Sequence, residues 1–86
     1  MNHNISKSNV SLGTNIGKIT KIDLKPTEAT FTISNGDCVL QAGNTKYADI
    51  YNLLLNAYFC SKGVSVEINI VNGQNIISSA TIFDGL

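Results

Sequence analysis

Two Asn-Gly pairs, Asn35-Gly36 and Asn72-Gly73, each lie between runs that alternate apolar and polar residues. Ahead of the first pair, Ala29, Phe31 and Ile33 alternate with Thr30, Thr32 and Ser34, and "DCVLQAG" follows it. Ahead of the second, Val64, Val66, Ile68 and Ile70 alternate with Ser65, Glu67 and Asn69, and "NIISSATIF" follows. A period of two marks a strand with one face buried. Asn-Gly between two such runs marks a hairpin, because a type I′ turn needs positive φ at both central residues. Two antiparallel hairpins are expected, turning at Asn35-Gly36 and at Asn72-Gly73. Upstream, "IGKITKIDLK" has a broken phase: Ile22 and Leu24 share one face and Ile19 falls on the other. The slip beside Gly17 predicts a bulge or bend in a long strand, which Pro26 ends.

Between the hairpins runs "KYADIYNLLLNAYFCSKG". It predicts a helix beginning near Thr45 and stopping at Gly63 as the C′ glycine, with Lys62 in the last turn. At about 100° per residue, Asp49, Asn52 and Asn56 fall in a wedge about 60° wide. Tyr47, Ile50, Tyr51, Leu53, Leu54, Leu55, Ala57, Tyr58 and Phe59 hold the rest of the circumference. A surface helix of a lone domain shows an apolar stripe of roughly 100° or slightly more. This helix carries far more, so something beyond its own core is expected to cover it.

The order strand, strand, strand, helix, strand, strand, with a long bent first strand, matches the OB-fold. A β-sandwich has no place for a central helix of this length, and a ferredoxin-like domain needs two helices. The expected fold is mostly β: a five-stranded OB-fold-like barrel over residues 16–86, with one α-helix between strands 3 and 4. Residues 1–15 show no clear period, and a flexible segment, an added strand or a short helix all fit them.

A chain of 86 residues makes one domain and buries roughly 60–65% of its unfolded surface. Domains of this size draw on a disulfide, a metal or a partner subunit for stability. Metal is not expected: His3 is the only histidine, and Cys38 and Cys60 have no short ligand spacing. Six lysines balance six acids and there is no arginine or tryptophan. Neither a broad attraction to phosphate nor a bidentate reader of bases is on offer. No apolar run approaches the ~20 residues of a membrane span. The start "MNHNISKSNVSLG" lacks the apolar centre of a signal peptide. The Asn, Ser and Thr content fits a secreted or periplasmic chain whose leader is absent, with a cytoplasmic one left open.

No catalytic residues are assigned. Asp23, Glu28, Asp37, Asp49, Glu67 and Asp84 are scattered, and no nucleophile motif is present. "LGTNIG" precedes a strand and so lacks the helix N-terminus of a phosphate cradle. No enzymatic activity and no cofactor are expected. The cysteines leave two readings open. From Cys38 the strand climbs ~17 Å and the helix returns ~20 Å, so Cys60 can come back to the level of Cys38. A disulfide there contributes roughly 3 kcal/mol; two buried free thiols fit equally well.

The run "GKITKIDL…ATFTIS…DCVL…YADIYNLLLNAYFCSKGVSVEINI" resembles the B subunits of AB5 toxins, nearest the subtilase-cytotoxin and pertussis-like branch. The shared features are a Gly-x-Ile first strand, a cysteine in the third, a Leu-Leu-rich helix, and "SKGVSVEI" leading into the fourth. The likeness covers residues 16–71. It implies a secreted OB-fold lectin that assembles as a homopentameric ring and binds cell-surface glycans for a separate enzymatic toxin subunit. Ile50, Leu53, Leu54 and Ala57 would then cap the barrel, Tyr51, Leu55 and Phe59 would meet a neighbouring copy, and Asp49, Asn52 and Asn56 would face the channel.

In some relatives the N-terminal segment helps form the sugar site. Ser6, Ser8 and Ser11 are the corresponding candidates here, with Lys7 or Lys18 for an acidic sugar. The branch pairs its third-strand cysteine with one in the second strand, where this chain has Thr30 and Thr32, so Cys60 would have to substitute. Two other functions stay open beside the glycan-binding one. The first is single-stranded nucleic-acid binding, which rests on fold alone and on Lys18, Lys21 and Lys25. The second is a ligand-free assembly protein.

Overall fold

A computed structural model describes residues 10–85. The elements are β1 (Val10–Leu24), β2 (Glu28–Ile33), β3 (Gly36–Gln41), α1 (Tyr47–Phe59), β4 (Gly63–Val71) and β5 (Gln74–Phe83). The strands close into a barrel in the order β1-β2-β3-β5-β4, with β3 and β5 joined in parallel and every other pair antiparallel. This is the expected OB-like barrel, with its helix between β3 and β4.

Strand β1 serves two partners. Its residues Val10 to Lys18 pair with β4, and Ile19 to Leu24 pair with β2. A bulge is present in this strand, beyond Gly17 rather than beside it, as a register shift between Ile19 and Lys21. It restores the phase, so that Ile19 and Ile22 both meet the core while Lys18 and Lys21 both face outward. The boundary placed at residue 15 falls inside β1: residues 10–15 are part of the strand.

The second hairpin turns as expected, with φ of 51° at Asn72 and 78° at Gly73. The first is displaced by one residue. Its central residues are Ser34 (φ 51°) and Asn35 (φ 66°), and Gly36 pairs with Ile33 as the first residue of β3. The displacement shifts each pairing by two, which leaves every side chain on its original face. Tertiary contact selects this register. Ser34 Oγ donates to the Ile16 carbonyl at 2.6 Å, in space left open because Gly17 has no Cβ.

The fully buried residues of the barrel interior are apolar. Phe31, Ile33, Cys38, Leu40, Leu54, Val64, Val66 and Ile77 are fully buried, and no polar or charged residue is buried among the described residues. Half-buried Asn15 bridges strands from the inward side, donating Nδ2 to the Ile33 carbonyl at 3.0 Å and towards Cys38 Sγ at 3.3 Å.

Helix α1 ends earlier than expected. Ser61, at φ 53°, takes the left-handed C′ position assigned to Gly63. The Ser61 N–H donates to the Tyr58 carbonyl and the Lys62 N–H to the Ala57 carbonyl, the bond pattern of a Schellman cap. Gly63 is instead the first residue of β4, paired with Lys18 and Phe83. Its burial follows from lying between two strands. At the other end, near Thr45 as expected, the Ile50 N–H donates to the Lys46 carbonyl at 2.9 Å and the helix starts at Tyr47, with Asn44 Oδ1 accepting from the Lys46 N–H at 2.8 Å just before it.

Candidate ligand cleft and the uncovered helix flank

Because Ala29, Phe31 and Ile33 fill the barrel, the alternation of β2 sends Thr30 and Thr32 outward. The register then builds two polar rows across the outer face. Lys21, Thr32 and Asp37 are aligned across β1, β2 and β3, and Asp23, Thr30 and Val39 form the next row. Gly73, Gln74 and Asn75 close one side, and Lys25 and Glu28 the other, around a cleft of about 300 Å³. It lies on the β2–β3 face, between the β1–β2 and β4–β5 loops, where OB-folds take up oligonucleotides and oligosaccharides.

Several contacts hold the cleft in shape. Thr32 Oγ1 donates to Asp37 Oδ1 at 2.7 Å, and Asn75 Nδ2 donates to the Asp37 carbonyl at 3.4 Å. Lys25 Nζ lies 3.7 Å from Asp23 Oδ2, an exposed pair of small energetic worth. Val39 is only 5% exposed despite its outward row, and it forms an apolar floor. A carboxylate has about four acceptor sites, and the Thr32 hydroxyl occupies one on Asp37. The remaining acceptors, two threonine hydroxyls, two side-chain amides and an apolar floor suit a neutral ligand rich in hydroxyl groups. Single-strand binders need a positive groove with stacking rings. The cleft instead sets two lysines against three carboxylates and is lined by no aromatic residue.

The residues singled out from sequence are distributed unevenly around this cleft. Ser6, Lys7 and Ser8 lie outside the described residues. Ser11 is exposed in β1 and pairs with Ile70, and it does not line the cleft. Lys18 pairs with Gly63 away from it. Lys21 and Lys25, considered for nucleic acid, do line it. The sequence reading missed Thr30, Thr32, Asp37, Val39 and Asn75 as a group. The outward positions of the alternation and the residues beside both Asn-Gly turns were the signal that could have found them.

The helix divides its apolar surface as its excess suggests. Ile50, Leu54 and Ala57 are buried, and Leu53, Tyr47 and Tyr51 are partly buried against the core. Tyr51 is therefore used within its own chain: its ring lies 6.0 Å from that of Phe31 and stacks on Tyr47 at 6.0 Å. Leu55 is half-buried, while Tyr58 and Phe59 are 38% and 74% exposed. Their rings lie 5.6 Å apart on the same flank as Leu55. Asp49, Asn52 and Asn56 are all exposed. Leu12 (82%) and Ile16 (53%) are also bare, on the outer face of β1.

The Cys38–Cys60 disulfide is not formed. Both thiols are free, with Cys38 buried in the barrel and Cys60 exposed at the helix C-cap. Only one of them is thus the buried free thiol of the alternative reading. The side chain of Cys38 points into the core beside Asn15. Burial pushes its pKa up, the Asn15 hydrogen bond pulls it down, and Asp37 raises it further. An unfolded thiol releases its proton at the ordinary value while Cys38 holds its own, so this contribution to stability falls as pH rises above the ordinary thiol range. Iodoacetamide is expected to label Cys60 promptly and Cys38 only after denaturation, read by peptide mass. Labelling of both thiols at equal rates in the folded protein would contradict this placement. Among the described residues, no three His, Cys, Asp or Glu side chains come together to hold a metal.

No family model and no curated protein matches the sequence. Among solved structures, the crystal structure of the cholera toxin-like B-subunit from Citrobacter freundii matches with a TM-score of 0.64. The match covers 98% of this chain and 100% of that one, at 17% sequence identity. The chain has the fold of a toxin B subunit. At such low identity the likeness is one of fold.

Proposed function

We propose that this protein is a non-enzymatic, B-subunit-like carbohydrate-binding protein that works as a self-associated ring of five copies. The observation that carries the reading is the fold match to a toxin B subunit, over 98% of this chain and 100% of that one. The uncovered flank of α1 supports self-association: Leu55, Tyr58, Phe59 and the outer edge of Tyr51 meet a neighbour, and Asp49, Asn52 and Asn56 face the channel. The hydroxyl-rich cleft supports glycan binding. Val10 pairs with Val71, directly before the Asn72-Gly73 turn that rims the cleft. Ser6, Lys7, Ser8 and Ser11 are the further residues proposed for sugar contact. A ring of this kind is secreted or periplasmic and serves a separate enzymatic subunit.

A glycan array probed with wild-type protein and with Asp37→Ala tests the reading. Wild type is expected to bind a discrete set of glycans. Asp37→Ala is expected to lose roughly tenfold or more in affinity, since hydrogen bonds to a charged acceptor are worth about 1.5–3 kcal/mol. An array with no spots above background would contradict glycan binding and favour a pure assembly protein. Undiminished binding by Asp37→Ala would move the site away from this cleft.

A further inference from the structure

The two Asn-Gly pairs have identical local sequence chemistry and different places in their turns, and this makes one of them a site of spontaneous covalent modification. In an Asn-Gly pair the glycine amide nitrogen can attack the asparagine side-chain Cγ. A C–N bond forms, ammonia leaves with the proton from the attacking nitrogen, and a succinimide results. Water then opens either carbonyl to give aspartate or isoaspartate, with no oxidant or reductant involved. The attack needs a free glycine N–H and an asparagine able to rotate out of its turn conformation.

At the second turn both requirements are met. Asn72 and Gly73 are the two central residues, at φ 51° and 78°, and the flanking pair Val71–Gln74 closes the ladder. The Gly73 N–H therefore lies outside the ladder. Both residues are exposed, and no atom lies within 4 Å of the Cβ position at Gly73. At the first turn the displaced register reverses the situation. Gly36 is the closing residue, paired with Ile33, so its N–H is held in the ladder. Gly36 is also half-buried, with Asn15 Nδ2 3.3 Å from its Cβ position. Rotation of Asn35 must first break that closing pair.

We propose that Asn72, and not Asn35, is the deamidation site of the folded protein, and that its modification adds a carboxylate at the mouth of the cleft. Gly73 and Gln74 already line that cleft beside three acids and two lysines. The product increases its negative charge. The formal net charge of the chain is zero, so each event creates a distinct acidic variant on ion exchange.

The test is incubation of the full chain at mildly alkaline pH, followed by cleavage after lysine and tandem mass spectrometry. Lys25 precedes Pro26, so Asn35 falls in Ile22–Lys46, while Asn72 falls in Gly63–Leu86. The folded protein is expected to convert Asn72 about fivefold faster than Asn35, the factor set by first opening one backbone hydrogen bond. In urea the two rates are expected to converge. Equal or faster conversion at Asn35 in the folded chain would overturn the proposal. So would a rate difference that persists in urea, or an Asn72 that stays intact when folded while converting when unfolded.

Discussion

Phe31→Ala is expected to remove a large share of the stability of this domain. Phe31 is fully buried and points inward from the middle of β2, in register with Cys38 of β3 and Ile22 of β1. Its ring lies 6.0 Å from that of Tyr51, so the same side chain seats the helix on the barrel. Truncating a buried Phe costs about 3–5 kcal/mol in lost transfer energy and cavity. The whole domain has roughly 4–13 kcal/mol to lose, at about 0.05–0.15 kcal/mol per residue. Urea unfolding followed by far-UV circular dichroism is expected to show the midpoint falling by roughly a quarter or more of its wild-type value, or no folded baseline at all. Thr30→Ala, one residue away on the outer face, is expected to cost about 0.5 kcal/mol or less, as surface changes do. Similar losses for the two variants would contradict the inward and outward assignment of β2.

Gly17→Ala is the second large effect. The methyl group would overlap Ser34 Oγ, lie 3.0 Å from Ser34 Cβ and displace the hydroxyl from the Ile16 carbonyl. Overpacking of this kind costs about 1–3 kcal/mol, and the lost hydrogen bond adds about 0.5–1.5 kcal/mol. The informative variant is the double one. Ser34→Gly removes the clashing side chain and favours the positive φ of 51° found there, leaving the Ser34 nitrogen 3.3 Å from the new Cβ. The double variant is expected to be more stable than Gly17→Ala alone, with a coupling of about 1 kcal/mol or more, as neighbouring sites in contact show. Strict additivity would mean that Gly17 and Ser34 do not meet, and the reason given for the displaced hairpin register would fail with it.

These two residues also show where sequence stops informing on the fold. Alternation over Ala29, Phe31 and Ile33 fixes which side chains enter the barrel, and the element order fixes the topology. Alternation cannot tell a turn at Asn35-Gly36 from one at Ser34-Asn35, because both leave every face unchanged. A hydroxyl from one strand reaching a carbonyl on another selects between them, and that contact is long-range. The helix end follows the same logic: Gly63 is the better C′ residue by propensity, yet β4 requires it as a ladder residue, and Ser61 takes the left-handed position.

The candidate site was less legible still. Asp37, Thr32 and Lys21 are far apart in the chain and become one row only through the register of three strands. The sulfur pair failed for a reason of orientation. A level-by-level estimate of strand rise and helix return brings Cys60 back towards Cys38. It does not see that Cys38 points into the core while Cys60 caps the helix in solvent. The excess apolar surface of α1, by contrast, was fully readable, since it depends only on helical periodicity. Its aromatic tip is the part that the barrel leaves uncovered.

The central claim is that a second copy of the chain covers this flank. The measurement that addresses it most directly is absolute mass by light scattering behind a sizing column, at micromolar protein, for wild type and for Phe59→Asp. The chain mass is 9.2 kDa. The account predicts a wild-type mass of five chains and a shift of Phe59→Asp towards the single chain with its secondary structure retained. A wild-type protein that elutes as a monomer of 9.2 kDa would contradict it.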